Sequence, residues 1–484
     1  MRQQVLNKEL IFSDEKSNLF SKVESLGLLN KMFGGIQIDV NAALKKNNNE
    51  LFEAHMCDHN CTIKWNGVET GGNYDCPAAF SQNLGINKKT IATGELIVKA
   101  VEKVANSIKD LKHDFILNKL DSYGKEFNVP AQVLEVYKDF IDCDDIEVAL
   151  FGGSPEIHSD ILWMIEELKS KGYIVTVTMT GRRLMLQPSF VEKLMENPPH
   201  VIALSADDFD GIEQIEHISN LSLEEIKAEW AKIPKQFGQR QKAYEAIYTI
   251  KLREQYGDRY PKLLLNIALH DQNLVNVSEF ITRLSKCLPD VALNPFPVQS
   301  GFMYSPSPLS IEGIEYLNNF VDEIIESHFI EETKNNKYSA IVPRLHYWLM
   351  LKSALVRWRD TNKASDVISG DGFWRCYQGI GSGRYIQITS SDIVDNNQKV
   401  GGGCLSCFWN KSVADSRGKV WDLSKDDVTS YILTERESEI QKASMPCPGC
   451  AFPRLVFDVI SGEVGLDKSL LDDYLKLRKK YVGY

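Results

Sequence analysis

From about residue 140 to residue 300, strand-length apolar runs alternate with stretches of helical periodicity. IEVALFGG (146–153) is a near-continuous apolar run ending in glycines, and the following SDILWMIEELKSKG brings Ile161, Leu162, Ile165 and Leu168 back at helical spacing. YIVTVTMTG then reads as a strand, Pro188 to Glu196 as a helix, HVIALSADD as a strand, and the polar tract around 222–255 as helical. KLLLNIALHD, a helix over 276–288 and DVALNPFPV complete the series. Strands buried on both faces that alternate with helices predict parallel βαβ units. A closed or partly closed βα barrel is their natural assembly, with chemistry at the C-terminal ends of the strands.

The first strand of this series is expected in LFEAHMCDHNC (51–61), running into a loop. Residues 88–140 are longer than a simple crossover needs and predict a helical insertion. Periodicity turns wholly helical over 301–370, through IEGIEYLNNFVDEIIESHF and SAIVPRLHYWLMLKSALVRW. Gly, aromatic and Cys residues then dominate from 370 to 452, before a charged helical tail. Residues 1–50 carry little signal. The expected division is therefore 1–50 unassigned, 51–300 a partial barrel, 301–370 a helical bridge, and 371–484 a cysteine-containing extension.

Composition narrows the class. With 484 residues, 43% hydrophobic and 25% charged, the chain is globular rather than collagen-like, coiled-coil or disordered. A net charge of −11 offers no general footprint for nucleic acid or anionic lipid. The longest apolar stretches, such as Tyr173 to Thr180, fall well short of the roughly 18–20 residues that span a bilayer. MRQQVLNKELIF has no secretory apolar run, so a cytoplasmic location is expected. There thiols stay reduced, and clustered cysteines point to metal ligands or catalysts rather than disulfides.

The ten cysteines are unevenly placed. Cys57, Cys61 and Cys76 form one group; three thiolates from one loop can hold three irons of a cubane cluster and leave the fourth iron open, or a zinc site could be completed by His55 or His59. Cys404-x2-Cys407 and Cys447-x2-Cys450 are two knuckles whose four thiolates suit one zinc or one iron–sulfur cluster. Cys143 and Cys287 read as small core hydrophobes. Cys376 belongs to the same C-terminal group but stands outside both knuckles, beside Phe373, Trp374 and Tyr377.

Gly152-Gly153-Ser154-Pro155-Glu156 sits where the strand 146–151 gives way to a helix, and glycines there let backbone approach a ligand closely. Taken with the upstream three-cysteine loop, this resembles the radical S-adenosylmethionine (SAM) superfamily over roughly residues 50–300. In that family a Cys-x3-Cys-x2-Cys loop after the first strand binds a [4Fe-4S] cluster, and a GGEP-like segment receives the amino group of SAM. Thr180-Gly181 resembles the end of the third strand, Leu204-Ser205-Ala206-Asp207 the fourth, and His270 with Asn273 the fifth. The resemblance implies a partial (βα)6 TIM-like barrel. It also implies a cluster on Cys57, Cys61 and Cys76, and SAM near Gly152 to Glu156, Thr180, Ser205, Asp207, His270 and Asn273.

Two departures stand out. Fourteen residues (62–75), glycine-rich, separate Cys61 from Cys76 in place of two, and Ser154 replaces the usual glutamate. Downstream, Arg375-Cys376-Tyr-Gln-Gly379, Arg384 to Ile388 and Gly401-Gly-Gly-Cys404 resemble the Cys-x2-Gly, hairpin and Cys opening of SPASM/twitch extensions, found on radical SAM enzymes that modify ribosomally made peptides. Size and layout resemble the proteusin-type peptide epimerases. There a 5′-deoxyadenosyl radical removes a backbone Hα and a cysteine thiol returns hydrogen from the other face; Cys376 would be that donor, a further metal ligand, or a packed thiol. The implied partners are a precursor peptide and an external electron donor such as flavodoxin or ferredoxin. Radical peptide cross-linking and a non-catalytic, metal-bound peptide scaffold are the alternative functions.

Overall fold

A computed structural model describes residues 35–47, 50–55, 64–65, 68–69, 91–111, 146–205, 212–234, 238–269, 271–297, 309–330 and 385–389, with the single residues 338, 340, 341, 348, 351, 352 and 355. Its centre is a seven-stranded, fully parallel sheet. The strands are β1 (Gly35–Asp39), β6 (Glu147–Phe151), β7 (Ile174–Met179), β8 (Val201–Ser205), β9 (Lys262–Leu269), β10 (Ala292–Pro297) and β11 (Tyr385–Thr389). They lie in the order β10-β9-β8-β7-β6-β1-β11. From β1 to β10 the sheet strands sit side by side in chain order, the winding of a βα barrel rather than of a doubly wound sheet, whose order reverses. Beyond β10 a single parallel bridge joins Leu293 to Ile341, and the described strands form no closed barrel.

Helices fill the crossovers as the periodicity requires. Between β6 and β7, α2 (Ile161–Ser170) buries Ile161, Met164, Ile165 and Leu168, one stripe of a 3.6-residue repeat. α3 (Arg182–Leu186) and α4 (Pro188–Glu196) follow β7; α5 (Ile212–Asn220), α6 (Leu223–Trp230), α7 (Gly238–Lys251) and the short α8 (Arg253–Tyr256) lead towards β9; α10 (Val277–Cys287) precedes β10. α1 (Gly94–Leu111) lies in the expected insertion, and α11 (Ile311–Ile330) in the expected helical bridge. None of the described helices is long and apolar enough to cross a membrane.

Register divides the sheet into two unlike faces. One carries Ile36, Ile38, Val148, Leu150, Val175, Val177, Met179, Ile202, Leu204, Leu263, Leu265 and Leu293, none more than 3% exposed, and all belong to the core cluster shared with the helices. The opposite face carries Glu147, Thr176, Thr178, Ser205, Asn266 and Asn294 among small and aliphatic residues. Its buried Ala149, Val201, Ala203, Leu264 and Ala292 lie outside that cluster. The expectation of strands buried on both faces therefore holds along β6, β7 and β8, although only one of the two faces is uniformly aliphatic.

Two strands differ from expectation. The segment 51–61 was expected to open the sheet, but β3 (Glu50–His55) pairs antiparallel with β2 (Ala42–Asn47) in a separate ladder, as β4 (Lys64–Trp65) does with β5 (Val68–Glu69), and β1 takes that place. The reason lies in the pattern. Ile36, Ile38 and Val40 recur with period two and are fully buried, whereas Leu51 and Phe52 are consecutive and give no single-face stripe. Tyr385–Thr389, which overlaps the Arg384 to Ile388 segment of the expected C-terminal extension, adds a parallel strand beside β1.

Candidate functional site

The C-terminal ends of β1, β6 and β7 meet in one buried polar network. After β6 the chain turns through Gly152 (φ 99°) and Gly153 (φ 56°), both partly exposed, into a 3-10 turn at Pro155–Ile157. Positive φ at consecutive positions is available to glycine at little cost and strained for other residues. Pro155 suits the first position of that turn, where no N–H is needed.

Three residues fix this loop from within. Asn41, immediately after β1 and fully buried, donates both amide hydrogens of Nδ2, to Gly152 O (3.1 Å) and Ser154 O (2.8 Å). The Val40 N–H donates to Phe151 O at 3.0 Å. Glu156, also fully buried, accepts at Oε1 from the Thr180 hydroxyl (2.8 Å) and from the N–H groups of Thr180 (3.1 Å) and Gly181 (3.3 Å). The carboxylate thus clamps the end of β7 to the loop after β6, and Arg183 closes the clamp by donating to Glu156 O.

His158 holds the loop from outside. Its Nδ1 accepts from the Asp160 N–H at 3.0 Å, so Nε2 carries the hydrogen and donates to Ala92 O at 3.1 Å. Burial holds the imidazole below its ordinary value, against the opposing pull of the Ala92 carbonyl and Asp160. Asp160 in turn accepts from the Gly94 N–H at 2.8 Å, docking the start of α1 on this loop.

Gly181 (φ 91°) begins α3, and a Cβ there would lie 2.2 Å from Thr249 Oγ1 and 2.8 Å from Glu245 O. Next to it, Arg182 pairs with Glu245 at 3.2 Å and donates to Gln241 Oε1 at 2.7 Å. Trp230 Nε1 donates to the same carboxylate at 2.9 Å. A buried ion pair with its remaining valences filled holds geometry firmly, since removing one partner strands the other charge.

The polar face of the sheet continues the site away from this network. Ser205, Asn266 and Asn294 are in register on β8, β9 and β10. All three are partly exposed, as is Thr178 on β7. Asn294 Nδ2 donates to Asn266 Oδ1 at 2.8 Å. Among the described residues, Asn266 Nδ2, Asn294 Oδ1 and the hydroxyls of Thr178 and Ser205 have no hydrogen-bond partner.

Of the residues singled out from sequence, Gly152, Gly153, Ser154, Pro155, Glu156 and Thr180 are brought together, and Ser205 lies on the next strand's end. Asn273 sits on a short helix after β9, α9 (Asp271–Leu274), whose Asp271 accepts from the Ser310 N–H. Asp207, His270, Cys376 and the metal-ligand candidates Cys57, Cys61, Cys76, Cys404, Cys407, Cys447 and Cys450 lie outside the described residues, as does Cys143. Cys287 is partly buried against the core, and burial raises its thiol pKa. Sequence reasoning missed Asn41, Asn266 and Asn294. For the last two a signal existed, a polar side chain inside an aliphatic strand.

Comparison with known proteins adds little. No protein-family model matches the chain, and no curated protein does. Among solved structures, Streptococcus suis SuiB bound to S-adenosylmethionine aligns at 12% identity and a TM-score of 0.43, over 87% of this chain and 71% of that one. SuiB bound to precursor peptide SuiA aligns at 12% identity and a TM-score of 0.43, over 93% and 76%. A TM-score of that size does not establish a shared fold, and the functional reading rests on the chain's own residues.

Proposed function

We propose that the chain is a radical SAM enzyme that acts on a ribosomally made precursor peptide and converts L- to D-residues within it. The observation that carries the reading is the partly exposed, positive-φ Gly152-Gly153 turn at the C-terminal end of β6, set beside β1 and beside the hairpin that leads to Cys57. Backbone free of Cβ atoms suits close approach by the methionyl end of SAM. From β6 to β10 the polar face spans four strand spacings, about 19 Å at roughly 4.8 Å each, enough for an extended adenosyl ligand reaching Ser205 and beyond.

In this reading Cys57, Cys61 and Cys76 hold a [4Fe-4S] cluster, which with SAM would supply the hydrogen-abstracting radical. Gly152, Gly153 and Ser154 hold the methionyl part, and Ser205, Asp207, His270 and Asn273 lie towards the ribose. Cys376 donates hydrogen to the peptide Cα from the opposite face, because a thiol S–H yields a hydrogen atom more readily than other common side chains. Cys404, Cys407, Cys447 and Cys450 share one structural zinc or iron–sulfur site. A flavodoxin or ferredoxin delivers the electron.

Anaerobic reconstitution with iron and sulfide, followed by reduction in the presence of SAM, should yield 5′-deoxyadenosine, and the Cys57→Ala protein should yield none. Absence of 5′-deoxyadenosine from the intact enzyme overturns the reading. With a peptide substrate in heavy water, each epimerised residue should gain about one mass unit from the exchangeable thiol. Cys376→Ala should lose that product while still cleaving SAM.

A further inference from the structure

Asn41 belongs to no sequence motif, yet it stands where two parts of the molecule meet. Its side chain donates to Gly152 O at 3.1 Å and Ser154 O at 2.8 Å, across more than a hundred residues of chain, and it is fully buried. Its backbone leads directly into β2, whose first residue Ala42 pairs with His55, the last residue of β3. The hairpin therefore brings the chain back beside Asn41 two residues before Cys57. Paired strands sit about 5 Å apart, so the exit towards the cysteine loop and the glycine turn are referenced to the same residue.

We infer that Asn41 is a positioning residue that fixes the glycine turn relative to the mouth of the cysteine loop, and so sets the affinity for the adenosyl ligand; this rests on the SAM reading above. Gly152 and Gly153 have φ of 99° and 56°, a conformation that glycine adopts without being locked in it. Nothing in the side chains of a Gly-Gly pair can hold it. Both amide hydrogens of Asn41 do so from one nitrogen, pulling the carbonyls on either side of Gly153 towards one point. A ligand that must meet both the turn and the cysteine loop loses affinity when their separation varies, because binding must then pay for ordering them.

The probe is S-adenosylhomocysteine, measured by calorimetry on the purified full chain, with Asn41→Ala and the near-isosteric Asn41→Asp. The aspartate keeps the volume and turns two donors into acceptors facing two carbonyls. Both variants should bind S-adenosylhomocysteine at least tenfold more weakly than wild type, and hydrogen–deuterium exchange over 152–158 should rise. A control is Tyr260→Phe, which removes a buried hydroxyl bonded to Thr249 O at 2.7 Å, away from the turn; it should lower stability and leave the affinity unchanged. If the alanine variant does not fold, the aspartate variant carries the test. Variants that bind within threefold of wild type overturn the inference alone, whereas a wild-type chain that does not bind S-adenosylhomocysteine overturns the SAM reading on which it depends.

Discussion

The two faces of the parallel sheet are built from the same strands and do opposite work. Along β7, Val175, Val177 and Met179 enter the helix-covered core while Thr176 and Thr178 line the other face. On β8 the last two residues divide in the same way, Leu204 fully buried in the core and Ser205 partly exposed. Burial is nearly complete on both sides, so burial alone does not separate them. What separates them is chemistry: one face is aliphatic throughout, whereas the other carries hydrogen-bonding side chains, of which Thr178, Ser205, Asn266 and Asn294 are partly exposed.

The largest effect expected from testing this contrast is at Leu204. Leu204→Ala should lower the free energy of unfolding by about 2–5 kcal/mol, read from urea denaturation, because the aliphatic core cannot collapse around the lost volume. Gly181→Ala comes next: the positive φ and the overlap with Thr249 and Glu245, relieved in part by rotation of the Thr249 side chain, should together cost about 1–3 kcal/mol. A smaller, conditional effect belongs to His158. Its neutral form is the one the fold holds, so stability should be intact above the ordinary value of 6.5 and fall as pH drops below it, where the unfolded chain takes up the proton more readily. The slope should stay within about 1.4 kcal/mol per pH unit, and His158→Gln should flatten it. Ser205→Ala should change stability least, within about 0.5 kcal/mol. It should nevertheless weaken S-adenosylhomocysteine several-fold. Equal stability losses at Leu204 and Ser205 would erase the distinction between the faces.

Most of the sheet was legible because aliphatic runs of strand length were punctuated by helical periodicity, and Val201–Ser205, Lys262–Leu269 and Ala292–Pro297 fall where those runs lie. The polar face was also written in the sequence, in the alternation of Thr and aliphatic residues in VTVTMT, but a run read as continuous hides a period of two. β1 was not read, since GIQID is short and lies in a tract without flanking helical pattern. Of the candidate site, the glycine turn and Glu156 were visible as a motif. The carboxylate's clamp on Thr180 and Gly181 was not, and neither was Asn41, since contacts across more than twenty or a hundred residues leave no local trace.

The pairing of β11 with β1 has a temporal meaning. Gly35 pairs with Tyr385, 350 residues later (385 − 35), while its other edge waits for Glu147. At about 5–20 residues per second, a ribosome needs on the order of tens of seconds to deliver the strand that covers the outer edge of β1. Until then a strand bearing Ile36 and Ile38 presents unsatisfied backbone along one side, a template for pairing with another chain. Soluble yield from recombinant expression should therefore depend on synthesis rate and on holdase chaperones more steeply than the stability of the finished molecule would suggest.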